Sequence, residues 1–360
     1  MQIRNLVTTL TLVLFFTCFS AFSSTKDEVK EGKSDIKTEI KEFIQHHLKD
    51  SYDFGITAWK AEDGTTKHFG FPLPIILIDE GVHVFMSSKF HHGETVAESK
   101  GKFFKVYHSK IYSTDAAGTI TYDDKHHVAN SKPFDFSITK NVVAILFIAI
   151  MMLLLFTNLA KSYAKNNGVP TGMGRFFEPI IIYIRDDIAI PNIGEKRYKK
   201  YMSFLLTVFF FIWFVNLLGL TPLGVNVTGN IAVTFALALT TYLITTFTAT
   251  KDYWKHIFWM PGVPKAMRPI LAPIELLGTV IKPFSLMIRL YANMTAGHIV
   301  LMSIIGLMFI FKSWIGSPLS FGLAFGLMLL ELLVAALQAY IFTMLSALYF
   351  GSASEEHDEH

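Results

Sequence analysis

The sequence predicts an all-α polytopic membrane protein of about five spanning helices, the last two long and tilted. An interfacial amphipathic helix and a small α+β extramembrane module on the N-terminal side complete it. Three observations carry this prediction. Of the 360 residues 51% are hydrophobic and only 17% charged, against about 25% charged in an ordinary soluble domain. The charge is unevenly placed: residues 24–137 hold 15 Lys, 18 Asp or Glu and no Arg, whereas residues 201–250 hold no charged side chain. Beyond residue 137 the apolar runs reach the roughly 20 residues that a spanning helix needs. The single cysteine, Cys18, excludes an intrachain disulfide and a thiolate zinc site. A net charge of +3 with no basic stripe makes no case for nucleic acid as a partner.

Residues 1–23 read as a signal peptide: Arg4, an apolar run from Leu6 to about Phe22, then the small residues Ala21 and Ser23 at a cleavage site. Residues 24–137 follow as an extracytoplasmic module. Within it, residues 27–50 carry Ile36, Ile40, Phe43 and Ile44 at helical spacing. The runs GITAW, PIILI and VHVFM between Gly55 and Ser88 are strand-like and broken by Pro72, Pro74 and Gly81. The adjacent pairs His46-His47, His91-His92 and His126-His127 read as solvated surface, because neighbouring side chains diverge and do not converge on one metal.

The membrane domain, residues 138–350, contains five runs: Ile138–Ala160, Tyr201–Leu223, Val227–Thr250, Leu271–Phe311 and Leu319–Phe350. Residues 161–200 carry eight Lys or Arg and residues 251–270 carry four. The positive-inside rule puts both segments in the cytoplasm. The module then lies outside and the tail, residues 351–360, inside. Residues 174–190 (GRFFEPIIIYIRDDIAI) read as an amphipathic helix in the cytoplasmic interface.

Residues 271–350 contain five charged side chains: Glu275, Lys282, Arg289, Lys312 and Glu331. A charge at mid-bilayer costs roughly 3 kcal/mol on insertion scales and ~10–17 kcal/mol in simulations of isolated helices. Arg289 lies 18 residues from one end of its run and 22 from the other, too deep to snorkel. A permanent cation there suits an opposing acid that must lose its proton. Glu275, Lys282 and Arg289 are seven apart and share a helix face, with Asn293 a turn further on. His298 lies about 180° round from Arg289 and ~13 Å further along. On the returning helix Glu331 and Gln338 share a face. With Gln338 level with Arg289, Glu331 comes close to the depth of His298. Two wet paths follow, one from Glu275 on the inside and one through His298 and Glu331 on the outside, with Arg289 between them. The rival reading is a secondary transporter that binds an anionic substrate at Arg289; the absence of internal repeats counts against it.

The run IKPFSLMIRLYANMTAGHIV, followed by LQAYIFTMLSALYF, resembles subunit a of the F-type ATP synthase. WFVNLLGLTPLG and RFFEPIIIYIRDDIAIPNIG are similar to further blocks of that family. The resemblance covers about residues 138–350. It implies a non-catalytic stator subunit of a bacterial inner-membrane complex. Its partners would be the c-ring proteolipids, the peripheral-stalk b subunits, the rest of the synthase and lipid. It also implies roles in proton translocation: the essential arginine at Arg289, the amides at Asn293 and Gln338, and the acid of the cytoplasmic half-channel at Glu275. His298 and Glu331 match a half-channel pair that some members carry in the opposite order. No GxxxxGK[ST] loop is present, so no nucleotide or other cofactor is expected.

Overall fold

The computed structural model describes residues 50–60, 66–93, 95–124, 126–169, 171–221, 225–259, 264, 267–310 and 316–354. All belong to one compact unit, residues 44–360. The expected signal peptide and the helix over 27–50 lie outside the described residues, apart from Asp50.

The described part of the module is β-structure. Strand β1 (Asp53–Lys60) pairs antiparallel with β2 (Thr66–Pro72). A three-stranded sheet has the order β4 (Val82–Met86), β3 (Pro74–Ile78), β8 (Phe134–Asp135). A second has the order β5 (Ala97–Ser99), β6 (Lys102–Tyr107), β7 (Lys110–Thr114). The three strand-like runs in the sequence fall on β1, β3 and β4. Strands β2 and β5 to β8 are not among those runs, and the turns of β5 to β7 lack the usual Asn-Gly signal. The β6–β7 hairpin turns on His108 and Ser109, both at positive φ (47° and 61°), the twist a two-residue hairpin needs. Inside, Ile75, Leu77, Phe85, Phe90, Phe104 and Ile111 form the small core. Lys102 bridges Glu80 at 2.9 Å and Asp79 at 3.0 Å; those partners push its ammonium above the ordinary lysine value.

The module is tied to the start of the first long helix, α1 (Lys140–Lys165). Asp50 accepts from Thr139 Oγ1 at 2.8 Å and from the Asn141 N–H at 3.2 Å. This satisfies an amide of the first turn that the helix itself leaves unpaired. Burial pushes the Asp50 carboxyl above its ordinary value, against the opposing effect of these bonds. Phe54 and Leu73 of the module join one buried cluster with Ala144 and Ile148 of α1.

Among the described residues five helices are long and apolar enough to cross a membrane: α1, α4 (Tyr198–Gly219), α5 (Ile231–Thr248), α7 (Arg268–Ile310) and α8 (Gly316–Ser354). Asn230 caps α5 by accepting the Ala232 N–H at 3.0 Å. A short helix α6 (Lys251–Phe258) follows, capped by Thr250. Thr240, Thr241, Thr245 and Thr248 each bond the carbonyl four residues back, as threonines in membrane helices commonly do. Helix α8 packs against α4 and α7. Its fully buried positions include Ala335, Ala339, Phe342, Ala347 and Phe350. Small residues of this kind let helices approach where lipid removes any hydrophobic drive.

One expectation is refined and one is corrected. Residues 174–190 are helical throughout but not of a single pitch. They run as α2 (Gly174–Tyr183), a π-helical turn Ile184–Ala189 and the short α3 (Ile190–Ile193). Phe177, Ile184, Ile188 and Ile193 are buried in the bundle core while Arg175, Arg185, Asp186 and Asp187 are exposed. The polarity was read correctly, but the apolar side packs on α4 and α8. The last helix also does not stop at Phe350: it continues through Ser354. A Cβ on Gly351 would collide with the Asn192 carbonyl, so only glycine lets α8 pass α3 this closely. Beyond it the Ala353 carbonyl accepts the Thr250 N–H at 2.9 Å, and Ser354 Oγ lies 3.2 Å from the Tyr201 hydroxyl.

Candidate functional site

The site is built on the antiparallel pair α7 and α8. On α7, Leu286, Leu290, Met294 and His298 recur every four residues and are all buried. That stripe faces the bundle, and Arg289 sits at its edge, half-buried. Among the described residues no carboxylate comes within 4.0 Å of the Arg289 guanidinium. Glu275 lies 14 residues earlier on the same helix, ~21 Å away along the axis.

Across the helix pair the structure brings four polar groups together in two contacts. Asn293 Nδ2 donates to Gln338 Oε1 at 2.9 Å. His298 Nδ1 lies 3.8 Å from Glu331 Oε2. His298, Glu331 and Gln338 are 5%, 7% and 1% exposed. Gln338 is therefore level with Asn293, one turn beyond the level of Arg289 that the sequence reading assumed. The packing of small α8 residues sets this register, and it leaves Glu331 at the depth of His298 in either case.

The second contact is unfinished within the protein. Neither ring nitrogen of His298 and neither carboxylate oxygen of Glu331 has a well-formed hydrogen-bond partner, and Gln338 Nε2 and Thr295 Oγ1 also lack one. Buried polar groups are normally paired, so such a cluster calls for a function. Glycines make room for it. A Cβ on Gly219 would stand 3.1 Å from His298 Nε2, and one on Gly297 would strike Glu331 Oε1. Close by, Asn216 accepts from Thr228 Oγ1 at 2.8 Å and is fully buried. The sequence reading passed over both glycines. The available signal was a glycine directly before a histidine inside an apolar helix, where glycine weakens the helix without some gain in packing.

Toward the Glu275 end a small cleft opens between α5, α6, α7 and α8. Thr241 and Thr245, Tyr253, Thr279 and Lys282, and Tyr349 line it. Lys282 Nζ lies 5.8 Å from the centre of the Tyr349 ring. Burial pushes the Tyr253 phenol above its ordinary value, and the charges of Tyr242 and Glu275 push it further. Tyr253 and Tyr349 were not among the residues picked from sequence. Among the described residues no group of three or more His, Cys, Asp or Glu is arranged to hold a metal ion.

Against known proteins, the family model described as the ATP synthase A chain matches residues 142–351. The chain belongs to the ATP synthase A chain family. It is 46% identical over 235 residues to ATP synthase subunit a 2 of Chlorobaculum tepidum, which covers 63% of this chain and 66% of that one. It is 44% identical over 234 residues to ATP synthase subunit a of Chloroherpeton thalassium, covering 63% and 69%. With ATP synthase subunit a of Chlorobium phaeobacteroides it is 40% identical over 296 residues, covering 78% and 84%. A further model, described as a domain of unknown function, matches residues 43–136. Membership of the ATP synthase A chain family, with five apolar helices, makes the chain a multi-pass membrane protein of the ATP synthase membrane sector. The transporter reading finds no support in this family.

Proposed function

We propose that this chain is the proton-translocating stator subunit of an F-type ATP synthase in a bacterial inner membrane. Its module is outside and its C-terminus in the cytoplasm, with residues 1–23 serving as the signal peptide. It has no nucleotide site of its own. Its partners are the c-ring proteolipids, the peripheral-stalk b subunits and the rest of the complex. Protons pass between one aqueous phase and the c-ring carboxylates through His298 and Glu331. Between the ring and the other phase they pass through the cleft beside Glu275. The α2–α3 segment lies at the cytoplasmic interface.

The single observation that carries this reading is Arg289: a permanent cation, half-buried between two polar regions of one helix pair, with no carboxylate paired to it among the described residues. An opposite charge at close range lowers an acid's pKa by roughly 1–3 units, and an apolar surround raises it. A ring carboxylate passing Arg289 therefore releases its proton there and takes one up on returning to lipid. The guanidinium also breaks the wet path between the two regions, which prevents a leak. On the His298 side, Nδ1 stands 3.8 Å from Glu331 Oε2, just beyond direct hydrogen-bond reach, so a small side-chain movement joins them. Imidazole titrates near neutrality, so the pair can pass a proton in either direction. Asn293 and Gln338 bond each other and fix the α7–α8 register beside Arg289.

The test is Arg289→Ala in the assembled complex. Coupled ATP synthesis should vanish while the c-ring still copurifies, and passive proton conductance through the membrane sector should rise. Normal ATP synthesis in that variant would remove Arg289 from the mechanism.

A further inference from the structure

The outer side of the β4–β3–β8 sheet is apolar throughout. Its inner side, with Ile75, Leu77 and Phe85, closes the module core. A sheet with one wet face alternates apolar with polar residues, and this one does not. The pairs Ile78–Val82 and Ile76–Val84 stand on the outer side, and Ile78 also pairs with Phe134. Phe136, two residues on, shares that side and donates its N–H to the Ile76 carbonyl at 2.9 Å. Val84 is 61% exposed, Phe134 76% and Phe136 64%. None of these positions is polar. Three adjacent strands thus present one contiguous apolar surface, the kind that marks a binding face.

The position of the surface says what covers it. Strand β8 leads directly into α1, the first membrane-spanning candidate. The link between them stays in register with β3 through the Ile138 N–H to the Pro74 carbonyl at 3.1 Å. The helix start is clamped to the module by the Lys140 N–H to the Ser51 carbonyl at 3.0 Å and by the two Asp50 bonds. The module cannot swing away from the membrane plane without breaking these contacts. At about 3.4 Å per extended residue, the Pro74–Met86 row lies within ~7 Å of chain from the helix start, and the Phe136–Ile76–Val84 row within ~14 Å. The polar layer on each side of the hydrocarbon is about 5–8 Å deep. The near edge of the patch therefore reaches that layer, and Leu146, Phe147 and Ile150 of α1, within the next three turns, are exposed apolar residues as well.

The geometry points to a lipid contact: the outer face of the β4–β3–β8 sheet rests on the bilayer leaflet that α1 crosses first. It holds the module down beside the bundle. The face carries no charge, so it takes the glycerol and upper acyl region of any phospholipid and selects no headgroup. Proton translocation does not depend on this contact, and its failure would leave the reading of Arg289 untouched.

The test uses the assembled complex in phosphatidylcholine nanodiscs, with Cys18→Ser removing the chain's own thiol. A nitroxide label is placed at Val84→Cys and Phe136→Cys, and at Lys110→Cys on the exposed start of β7 as the reference. Collision is measured with dissolved oxygen, which concentrates in lipid, and with a water-soluble nickel chelate. The ratio of oxygen to nickel collisions should be several-fold higher at Val84 and Phe136 than at Lys110. Equal ratios at all three sites overturn the proposal by placing the face in water. Weak access to both reagents at Val84 overturns it as well, because another protein surface, from residues 1–49 or a different subunit, then covers the sheet. Where Val84→Cys fails to assemble, Ile78→Cys on the same face gives the same reading.

Discussion

The two polar regions flanking Arg289 are built in opposite ways. Around His298 and Glu331 the groups are enclosed by three helices, pressed close by Gly219 and Gly297, and make no well-formed hydrogen bond among the described residues. Around Glu275 they line an open cleft, spread over four helices, with Glu275 and Lys282 only half-buried. An enclosed relay depends on each member, because no bulk water can replace a lost donor or acceptor. An open cleft tolerates loss, because water substitutes for the missing group. The same helix, α7, serves both regions, so the difference arises from what packs against it.

The largest effect is expected where the two regions meet. Arg289→Ala should reduce ATP synthesis in inverted vesicles by more than about 100-fold, over 2.7 kcal/mol in barrier terms. Next come the enclosed groups. His298→Ala or Glu331→Ala should each lower proton-driven synthesis by roughly tenfold or more, in the range typical of general acid–base groups. The double exchange His298→Glu with Glu331→His should do less harm than either alanine variant. Simple addition of the two single losses in a double-mutant cycle would show that the two side chains work separately.

Glu275→Gln should cost only a few-fold in the same assay, the size expected for a group whose role water can share. A loss equal to that of Glu331→Ala would erase the contrast between enclosed and open regions. Gly297→Ala separates function from folding. The new methyl meets the flexible end of Glu331, which can turn aside, so thermal stability should change by no more than about 1 kcal/mol. Synthesis should fall several-fold because the carboxylate leaves His298.

The smallest expected effect lies in the open cleft. The Tyr253 phenol is raised above 10.0 by burial first and by Tyr242 and Glu275 second. Its folded value exceeds its unfolded one, so its stabilising contribution is complete below pH 10.0 and is lost as the pH climbs through the folded value. Glu275→Gln should lower that titration slightly, read from the ring carbon resonance of labelled tyrosine, because burial remains the leading cause.

Much of this arrangement was legible in the residues. Long apolar runs disclosed the spanning helices, since lipid tolerates few charges, although the ends were off by up to five residues, as at Lys161–Lys165 and Gly351–Ser354. The spacing of Arg289, His298, Glu331 and Gln338 placed His298 opposite Glu331, because helical rise is nearly constant and the two helices run antiparallel. The pairing of Gln338 with Asn293 was not legible, since register follows from the fit of small side chains between α7, α8 and α4. Tyr253 and Tyr349 were not legible either. Each belongs to a helix whose own pattern gives no hint that it turns toward Glu275 or Lys282.

The sequence by itself determined that this chain spans a membrane and that one cation lies too deep to escape, because the cost of charge in hydrocarbon depends on local composition alone. Only the tertiary structure decided which polar groups are sealed in and which stand in an open cleft. It also decided that the outer face of the β4–β3–β8 sheet has no cover within the described chain. Those properties depend on contacts between residues far apart in the chain, and no local pattern encodes the shape of a neighbour.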